Sequence, residues 1–583
     1  MQTRHGRIIN DQSSQPPTSS QPVSNPTQNI HSLLSILLLI GLAIVAIIPR
    51  LILAVQLDVV TDEVVYLFAG KVYWPLLTHL DIGSKQWTSL NYEHPPLVKL
   101  LFGSSIALNA TLGHPFGELF AGRIPSVIMG TVLVLAVYRL GRAPFGHTIA
   151  LIAALALAFS PWLCYFSALA YLDMTMTTFV TLAYLTLWHA LRKPWLFALV
   201  GFLMGLAFDS KYPSILVAPA IILFTAYYFF LLRPMIPAAE RPPLPWRWWI
   251  AAIIIMPLSF LAFDPAIWPD PIGLLQHSFT FEELHSIDGN PIYIAGQVYL
   301  HVPQWTIAYM VFTKMSAFLT LPCVFFVLFA LIKLIRTHIR THASVDNYQQ
   351  VASDAYIVIW FLAVLIAFSF LNIAVGTHYF LPLAPSVAIA GVSGLAVIIR
   401  FFVSRQWKKS NSLSEEAQTS KPAIPFSFKN ITPQFVIQVI LLATLAIGPH
   451  LIGLITIPGA EGYTTEFFND NENNTLQVAY VDYRAGAQWI ASNTNKKVKV
   501  AMIGNSLTGY SNTTNWFTYN PSLTKRLQLS QVSPTLKNYQ AYSYLVWPEY
   551  ILQRGNGWPK QDHVVHVVSG GNTTYCYVIQ VSS

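Results

Sequence analysis

The sequence predicts an all-α polytopic membrane protein of about eleven transmembrane helices plus juxtamembrane helices, with a small α/β domain at its C-terminal end. Three observations predict it. Of the 583 residues, 54% are hydrophobic and 10% are charged, against roughly 25% charged in an ordinary soluble domain. Apolar runs of about 18 residues or more recur along the chain, long enough to cross a hydrocarbon core about 30 Å thick. Beyond residue 457 the composition becomes polar and rich in Asn, Thr and Tyr, with no further run of that kind. A β-barrel would instead show short alternating segments.

Residues 1–30, rich in Ser, Gln, Pro and Asn, cannot bury enough apolar surface to offset chain entropy and are expected to form a disordered cytoplasmic segment. The first apolar run, 33–56, is too long for a signal-peptide core and lacks a small-residue cleavage site, so an uncleaved span is expected. Further spans are expected at 123–140, 147–169, 174–191, 194–209, 212–232, 248–263, 311–335, 355–374, 379–400 and 435–457. These make up a membrane domain of residues 31–457. In the remainder, 458–583, helical spacing over 485–492 and β-type runs at 497–503, 563–568 and 574–581 predict an α/β unit.

Charge sets the expected topology. With the N-terminus cytoplasmic, the inner segments hold 18 Lys and Arg, and the outer loops ahead of the terminal domain hold five. This is the positive-inside bias. Making 97–112 a span would reverse every later loop, so that segment is expected to lie along the interface. The same assignment puts thirteen carboxylates on the outer side and six on the inner, and it makes the 458–583 unit extracytoplasmic. The basic residues are scattered through loops, not interleaved with aromatics in a patch, so nucleic acid is not an expected partner. Three cysteines give no disulfide framework. No phosphate-loop pattern is present, and no nucleotide is expected.

Six outer segments carry the chemistry-bearing residues. Asp62-Glu63 follow the first span between apolar neighbours, where a carboxylate can gain proton affinity and act as a general base; capping of the next helix by Thr61 or Asp62 is the competing reading. In Asn91-Tyr-Glu-His-Pro-Pro-Leu-Val-Lys99 two prolines hold Glu93 and His94 on a rigid turn, and these residue types suit a divalent metal; a plain surface turn would explain the prolines equally well. Asp173 sits between two spans as either a site acid or a helix cap. Lys211, in Gly205-Leu-Ala-Phe-Asp-Ser-Lys-Tyr-Pro213, can bind phosphate as a point charge, pair with Asp209, or snorkel. The loop from Phe263 through Trp268-Pro-Asp-Pro271 to His285 suits an interfacial helix over a lipid-linked substrate, and His285 alone is a weak ligand signal. His378 and Tyr379 open the tenth span, able to donate to phosphate or sugar or to serve as interfacial anchors.

In this order and sidedness the segments resemble the polyprenyl-phosphate-sugar-dependent glycosyltransferases of the class C fold, especially protein O-mannosyltransferases and aminoarabinose lipid A transferases. The carrying residues are Asp62-Glu63, Glu93-His-Pro-Pro-Leu-Val-Lys99, Arg123-Ile-Pro, Asp173, Gly205 to Lys211, Trp268-Pro-Asp-Pro271 and His378-Tyr-Phe-Leu-Pro382, and the resemblance covers roughly residues 33–400. It implies an integral, multi-pass plasma-membrane enzyme that moves a sugar from a polyprenyl-phosphate donor to a hydroxyl acceptor on protein, lipid or envelope glycan, by an inverting transfer. Asp62 and Glu63 would stand at the acceptor side with Asp173 as a second acid. His94, Lys211, His378 and Tyr379 would face the donor phosphate, with a divalent metal (Zn, Mn or Mg) at Glu93 and His285. The lipid A branch has lysine where this chain has His94, so the His-Pro-Pro pattern stands closer to the protein mannosyltransferases, although the β-trefoil insert of the eukaryotic ones is missing. A transporter would need broken helices and intramembrane charge near the bilayer midplane, whereas the expected spans, away from their ends, are nearly free of charge apart from Arg50 and Lys314. A non-catalytic membrane scaffold would not need the carboxylates.

Overall fold

The computed structural model describes residues 26–289, 291–340, 348–371, 376–410, 432–468, 471, 473–504, 507–508, 511–535, 539–558 and 562–582. The expected disorder of residues 1–25 falls outside them. Residues 26–30, expected to share it, already belong to the first helix, Pro26–Gln56.

Among the described residues, eight helices are long and apolar enough to cross a membrane: Leu33–Gln56, Glu118–Phe145, Tyr212–Met235, Trp246–Phe263, Ala317–Ile339, Tyr348–Ser369, Thr377–Val403 and Pro433–Thr456. A ninth is a bent pair, His147–Ala158 and Pro161–Ser167, which turns by 61°. The other two expected spans are Leu172–Ala190, whose buried threonines lower its hydropathy, and Leu196–Ser210, at 15 residues short for a crossing. Both lie within the bundle and pack against each other.

The bend has a local cause. Ser160 is the N-cap of the second half, with Pro161 at its first position, and proline removes the amide that would continue the ladder. Arg50, fully buried, donates to Leu157 O and Ala158 O at 3.3 and 3.1 Å. It thus satisfies carbonyls that a broken helix leaves without amide partners. Its charge, unexpected inside a span, serves a helix end.

One expected span boundary is corrected. The segment predicted as one span over 311–335 is two helices, Thr306–Lys314 and Ala317–Arg340. They separate because Lys314 turns away to donate to Glu461 O at 2.6 Å and Tyr463 O at 3.2 Å. The span predicted over 212–232 opens as a 3-10 helix at Tyr212–Val217, becomes α at Ala218–Ala226 and ends as a π-helix at Tyr227–Leu232. Residues 97–112, expected at the interface, form Leu97–Thr111, a helix packed on Thr61–Thr78.

The C-terminal unit holds a five-stranded sheet. In chain order, a small hairpin of β1 (Ile292–Ile294) and β2 (Gln297–Tyr299) comes first. The sheet follows with β3 (Lys499–Ile503), β4 (Gln528–Val532), β5 (Tyr544–Pro548), β6 (His563–Gly570) and β7 (Thr573–Gln580), in spatial order β4-β3-β5-β7-β6. β3 runs parallel to β4 and β5, and β7 is antiparallel to β5 and β6. The helix Tyr483–Asn493 packs on the sheet, with Gly486 facing Val546 where a side chain would crowd. β4 and β5 had no counterpart among the expected strands. The hairpin joins this unit through the bridge from Ile294 to Leu476.

Candidate active site

The loop after the first span is held by one guanidinium. Arg123, fully buried, donates from Nη1 to Ala54 O and Leu57 O and from Nη2 to Asp58 O, each at 2.9 Å. It also grips Glu63, Nε to Oε1 at 2.8 Å and Nη2 to Oε2 at 2.6 Å. The remaining Glu63 valences are filled as well: Oε1 accepts from the Ala170 amide at 2.7 Å, and Oε2 from the Val60 amide at 3.0 Å. The Val60 contact is the return half of a capping box, so the N-cap is Val60 and not Thr61 or Asp62. Glu63 therefore offers no acceptor position to a substrate proton. Its chemistry is that of a brace joining the segment of Asp62 to the segment of Asp173.

Asp62, by contrast, is partly exposed on the first turn of its helix. It accepts a hydrogen bond from the Tyr171 hydroxyl. Burial raises its proton affinity, Lys211 opposes that rise, and the neighbouring charges of Asp173 and Glu63 add to it. This carboxylate can take a proton.

Asp173 and Lys211 form a buried ion pair, Nζ to Oδ1 at 2.8 Å, with side-chain exposures of 1% for the lysine and 0% for the aspartate. Asp173 Oδ2 is buried with no hydrogen-bond partner among the described residues. The same ammonium lies 4.0 Å from the centroid of the Tyr379 ring, a cation–π geometry. His378 packs edge-on to Tyr171 at 5.4 Å and tilted on Tyr379 at 4.5 Å. Tyr66 links the groups, with ring centroids 6.1 Å from both His94 and Tyr171. The structure thus gathers Asp62, Asp173, Lys211, His94, His378 and Tyr379 around one centre.

The Glu93-His94 turn is stapled from below. Lys99, fully buried, donates to Asn91 O at 2.6 Å and His94 O at 2.7 Å. Burial pulls its ammonium down to about 7 against the opposing pull of Glu93, Asp264 and Asp209. Asn91 takes a left-handed φ of 48° and donates its side-chain amide to Glu93 Oε1. Asp264, driven up to about 7 by burial, closes the cluster beneath. His94 is pushed well below its ordinary value, first by burial and then by Lys211 and Lys99. Among the described residues its buried Nδ1 has no hydrogen-bond partner, and Glu282 Oε1 lies 3.6 Å away. Burial lifts Glu282 to about 7.

The helix Pro271–Asp288 supplies Glu282. The side chain of His285, on the same helix, lies outside the described residues. Among the described residues no three His, Cys, Asp or Glu side chains converge as a metal site. Sequence reasoning missed Glu282, the staple made by Lys99 and the role of Arg123 as a hub. Lys99 and Arg123 stood out in the sequence only as letters of the resemblance motifs and as isolated basic residues on the acidic side.

The C-terminal unit reaches the same loop through Asp58. Asp58 Oδ2 accepts from Trp516 Nε1 and from the Arg484 amide, both at 2.8 Å, and the Asp58 amide donates to the Tyr480 hydroxyl at 2.9 Å. Lys71 donates to Thr514 and Glu118, and Tyr519 donates to Glu118.

Residues 93–261 match the family model described as dolichyl-phosphate-mannose-protein mannosyltransferase. No curated protein matches. Among solved structures, ArnT from Cupriavidus metallidurans bound to undecaprenyl phosphate is similar at 14% identity over 94% of this chain and 98% of its own, with a TM-score of 0.48. The Archaeoglobus fulgidus oligosaccharyltransferase in its apo form is similar at 12% identity over 88% and 69%, with a TM-score of 0.49. Archaeal oligosaccharyltransferase AglB from Archaeoglobus fulgidus, in complex with an inhibitory peptide and a dolichol-phosphate, gives 12% identity over 88% and 70% with a TM-score of 0.42. The matched segment contains Glu93, His94, Asp173 and Lys211, and its family is one of the two that the motifs resemble.

Proposed function

We propose that the chain is an integral-membrane glycosyltransferase of the class C fold that moves a sugar from a polyprenyl-phosphate donor to a hydroxyl acceptor. The observation that carries the reading is a partly exposed carboxylate, Asp62, set beside the buried Asp173–Lys211 pair, within a chain whose residues 93–261 match the mannosyltransferase model. Asp62 accepts the acceptor hydroxyl proton as its oxygen attacks the anomeric carbon, and the bond from that carbon to the phosphate oxygen breaks. The transfer inverts configuration. Lys211 and His94 take up the charge growing on the phosphate, which fixed donors stabilise more in the transition state than before it. His378 and Tyr379 line the donor side.

His94 has a specific role in this reading. With Glu282 protonated and turned to Nδ1, the imidazole keeps its proton on Nε2, available to phosphate. Glu93 and His285, an oxygen and a nitrogen donor, would hold a divalent metal, which supplies further positive charge to the leaving group. Eleven spans, a cytoplasmic N-terminus, a plasma-membrane location and an extracytoplasmic site complete the proposal, supported by the charge asymmetry of the loops.

The test is transfer in liposomes from a panel of polyprenyl-phosphate sugars, comparing the parent with Asp62→Asn and Asp173→Asn. Loss of transfer in both, with normal folding, is expected. Full transfer by both variants would remove these residues from the reaction.

A further inference from the structure

The opposite end of the bundle holds a second cavity. The helix Leu172–Ala190 carries Asp173 in its first turn and Trp188 in its last, about 22 Å apart at 1.5 Å per residue. Trp188 lines a cavity of about 400 Å³. Its walls are mixed, and Trp188, Phe229, Pro242 and Pro243 supply a stiff apolar part. The proline-rich wall is built in advance. Arg233 Nε donates to Pro242 O at 2.6 Å, and Arg241 Nη2 donates to Pro234 O at 2.9 Å and Ile236 O at 3.1 Å. Two guanidiniums of this end are thus consumed in folding their own loop.

Arg192 is different. It lines the cavity, is exposed, and among the described residues no side chain or carbonyl takes its guanidinium. The Tyr228 hydroxyl lies within electrostatic reach of both Arg192 and the Tyr348 hydroxyl, and both tyrosines line the same cavity. One carboxylate, Glu240, is also in the lining, and it makes no ion pair with Arg192. One available guanidinium and two phenols beside the Trp188, Phe229 and proline surfaces match the head and upper chains of a lipid carrying a phosphate, the kind of ligand that cationic pockets between membrane helices bind.

We propose that this cavity is a binding site for an anionic phospholipid, with Arg192, Tyr228 and Tyr348 on the phosphate and the Trp188 and proline walls on the glycerol and upper acyl chains. The site is independent of the transfer reaction, lying at the far end of the bundle.

The test uses the full chain in a neutral detergent, titrated with phosphatidylglycerol, phosphatidylcholine, inorganic phosphate and a polyprenyl phosphate, with thermal shift and native mass spectrometry as readouts. Phosphatidylglycerol is expected to bind and raise Tm. Arg192→Gln is expected to weaken it about tenfold, the loss of one charge-assisted hydrogen bond, and Tyr348→Phe to weaken it by a smaller factor. Lys193→Gln, which removes an exposed neighbouring charge, is expected to leave the affinity unchanged. Equal binding of phosphatidylcholine, full competition by inorganic phosphate, or tighter binding of polyprenyl phosphate that depends on Arg192 would each overturn the proposal. So would unchanged phosphatidylglycerol affinity in both cavity variants. An equal loss in Lys193→Gln would reduce the effect to diffuse surface charge and overturn it too.

Discussion

Arg123 and Glu63 meet as a two-point ion pair with no solvent exposure on either side chain. The pair ties the loop that presents Asp62 to the Ala170 amide, three residues before Asp173. Two carboxylates adjacent in sequence are thereby given opposite tasks, because one is saturated by donors and the other is left open.

Removing one partner of a buried pair leaves an uncompensated charge. Glu63→Gln is expected to destabilise the protein by about 3–5 kcal/mol, read as a fall in Tm of the purified protein, with transfer lost in proportion to folding. A variant with parental Tm and no transfer would instead make Glu63 a participant in the chemistry.

Asp62→Asn should behave in the reverse way. Its Tm stays near that of the parent while transfer falls by about 10²-fold or more, the usual worth of a general base. Because burial raises Asp62 above the ordinary aspartate range, the transfer rate of the parent should decline on acidification at a higher pH than an ordinary aspartate would set. A pH–rate profile whose acid limb sits at the usual aspartate position would contradict this.

Glu282 gives a pH dependence of stability. Its folded value, about 7, lies above the unfolded value of about 4.3, so the folded state binds more protons between them. The stabilisation is complete below the unfolded value and is lost as pH rises through about 7. Glu282→Gln, uncharged throughout, is expected to flatten the fall in Tm across that window. A slope unchanged from the parent would show that Glu282 is not the group responsible.

The span periodicity and the sidedness of charge were readable in the sequence because both are properties of many residues at once. Asp62, His94, Asp173, Lys211 and His378 could be singled out for the same reason, as polar residues at the ends of apolar runs. What could not be read was pairing across distance. Nothing local distinguishes Glu63 from Asp62, since the difference is made by Arg123, 60 residues away. Lys99 looked like the last letter of a motif, and only the fold turns its ammonium back onto the carbonyls of Asn91 and His94. The edges of 311–335 failed for a similar reason: Lys314 has its partners at Glu461 and Tyr463. The strands β4 and β5 were missed because neither shows a clean alternation.

A metal at Glu93 and His285 is testable without reference to either mutant above. If it serves the leaving phosphate, exhaustive chelation should slow transfer and added Zn or Mn should restore it, whereas Glu93→Gln should reduce metal content measured by elemental analysis. Parental rates in fully metal-free protein would remove that role.

Docking through Asp58 has its own signature. Trp516→Phe deletes one hydrogen bond to a carboxylate, worth about 1.5–3 kcal/mol. Hydrogen exchange should then quicken in the 57–63 loop and around Arg484 while the β3–β5 core stays protected. Uniform exchange across both regions would show that the two units are not joined there.

The separation along the chain of these contacts bears on how the protein comes into being. Asp58 waits for partners 422, 426 and 458 residues downstream, and the Lys314 ammonium waits for carbonyls 147 and 149 residues later. A ribosome making the chain at about 5–20 residues per second adds these Asp58 partners about 20–90 s after Asp58 itself. The C-terminal latch on Asp58 closes only when synthesis is all but finished, so until then Arg123 and the Ala170 amide alone hold the loop.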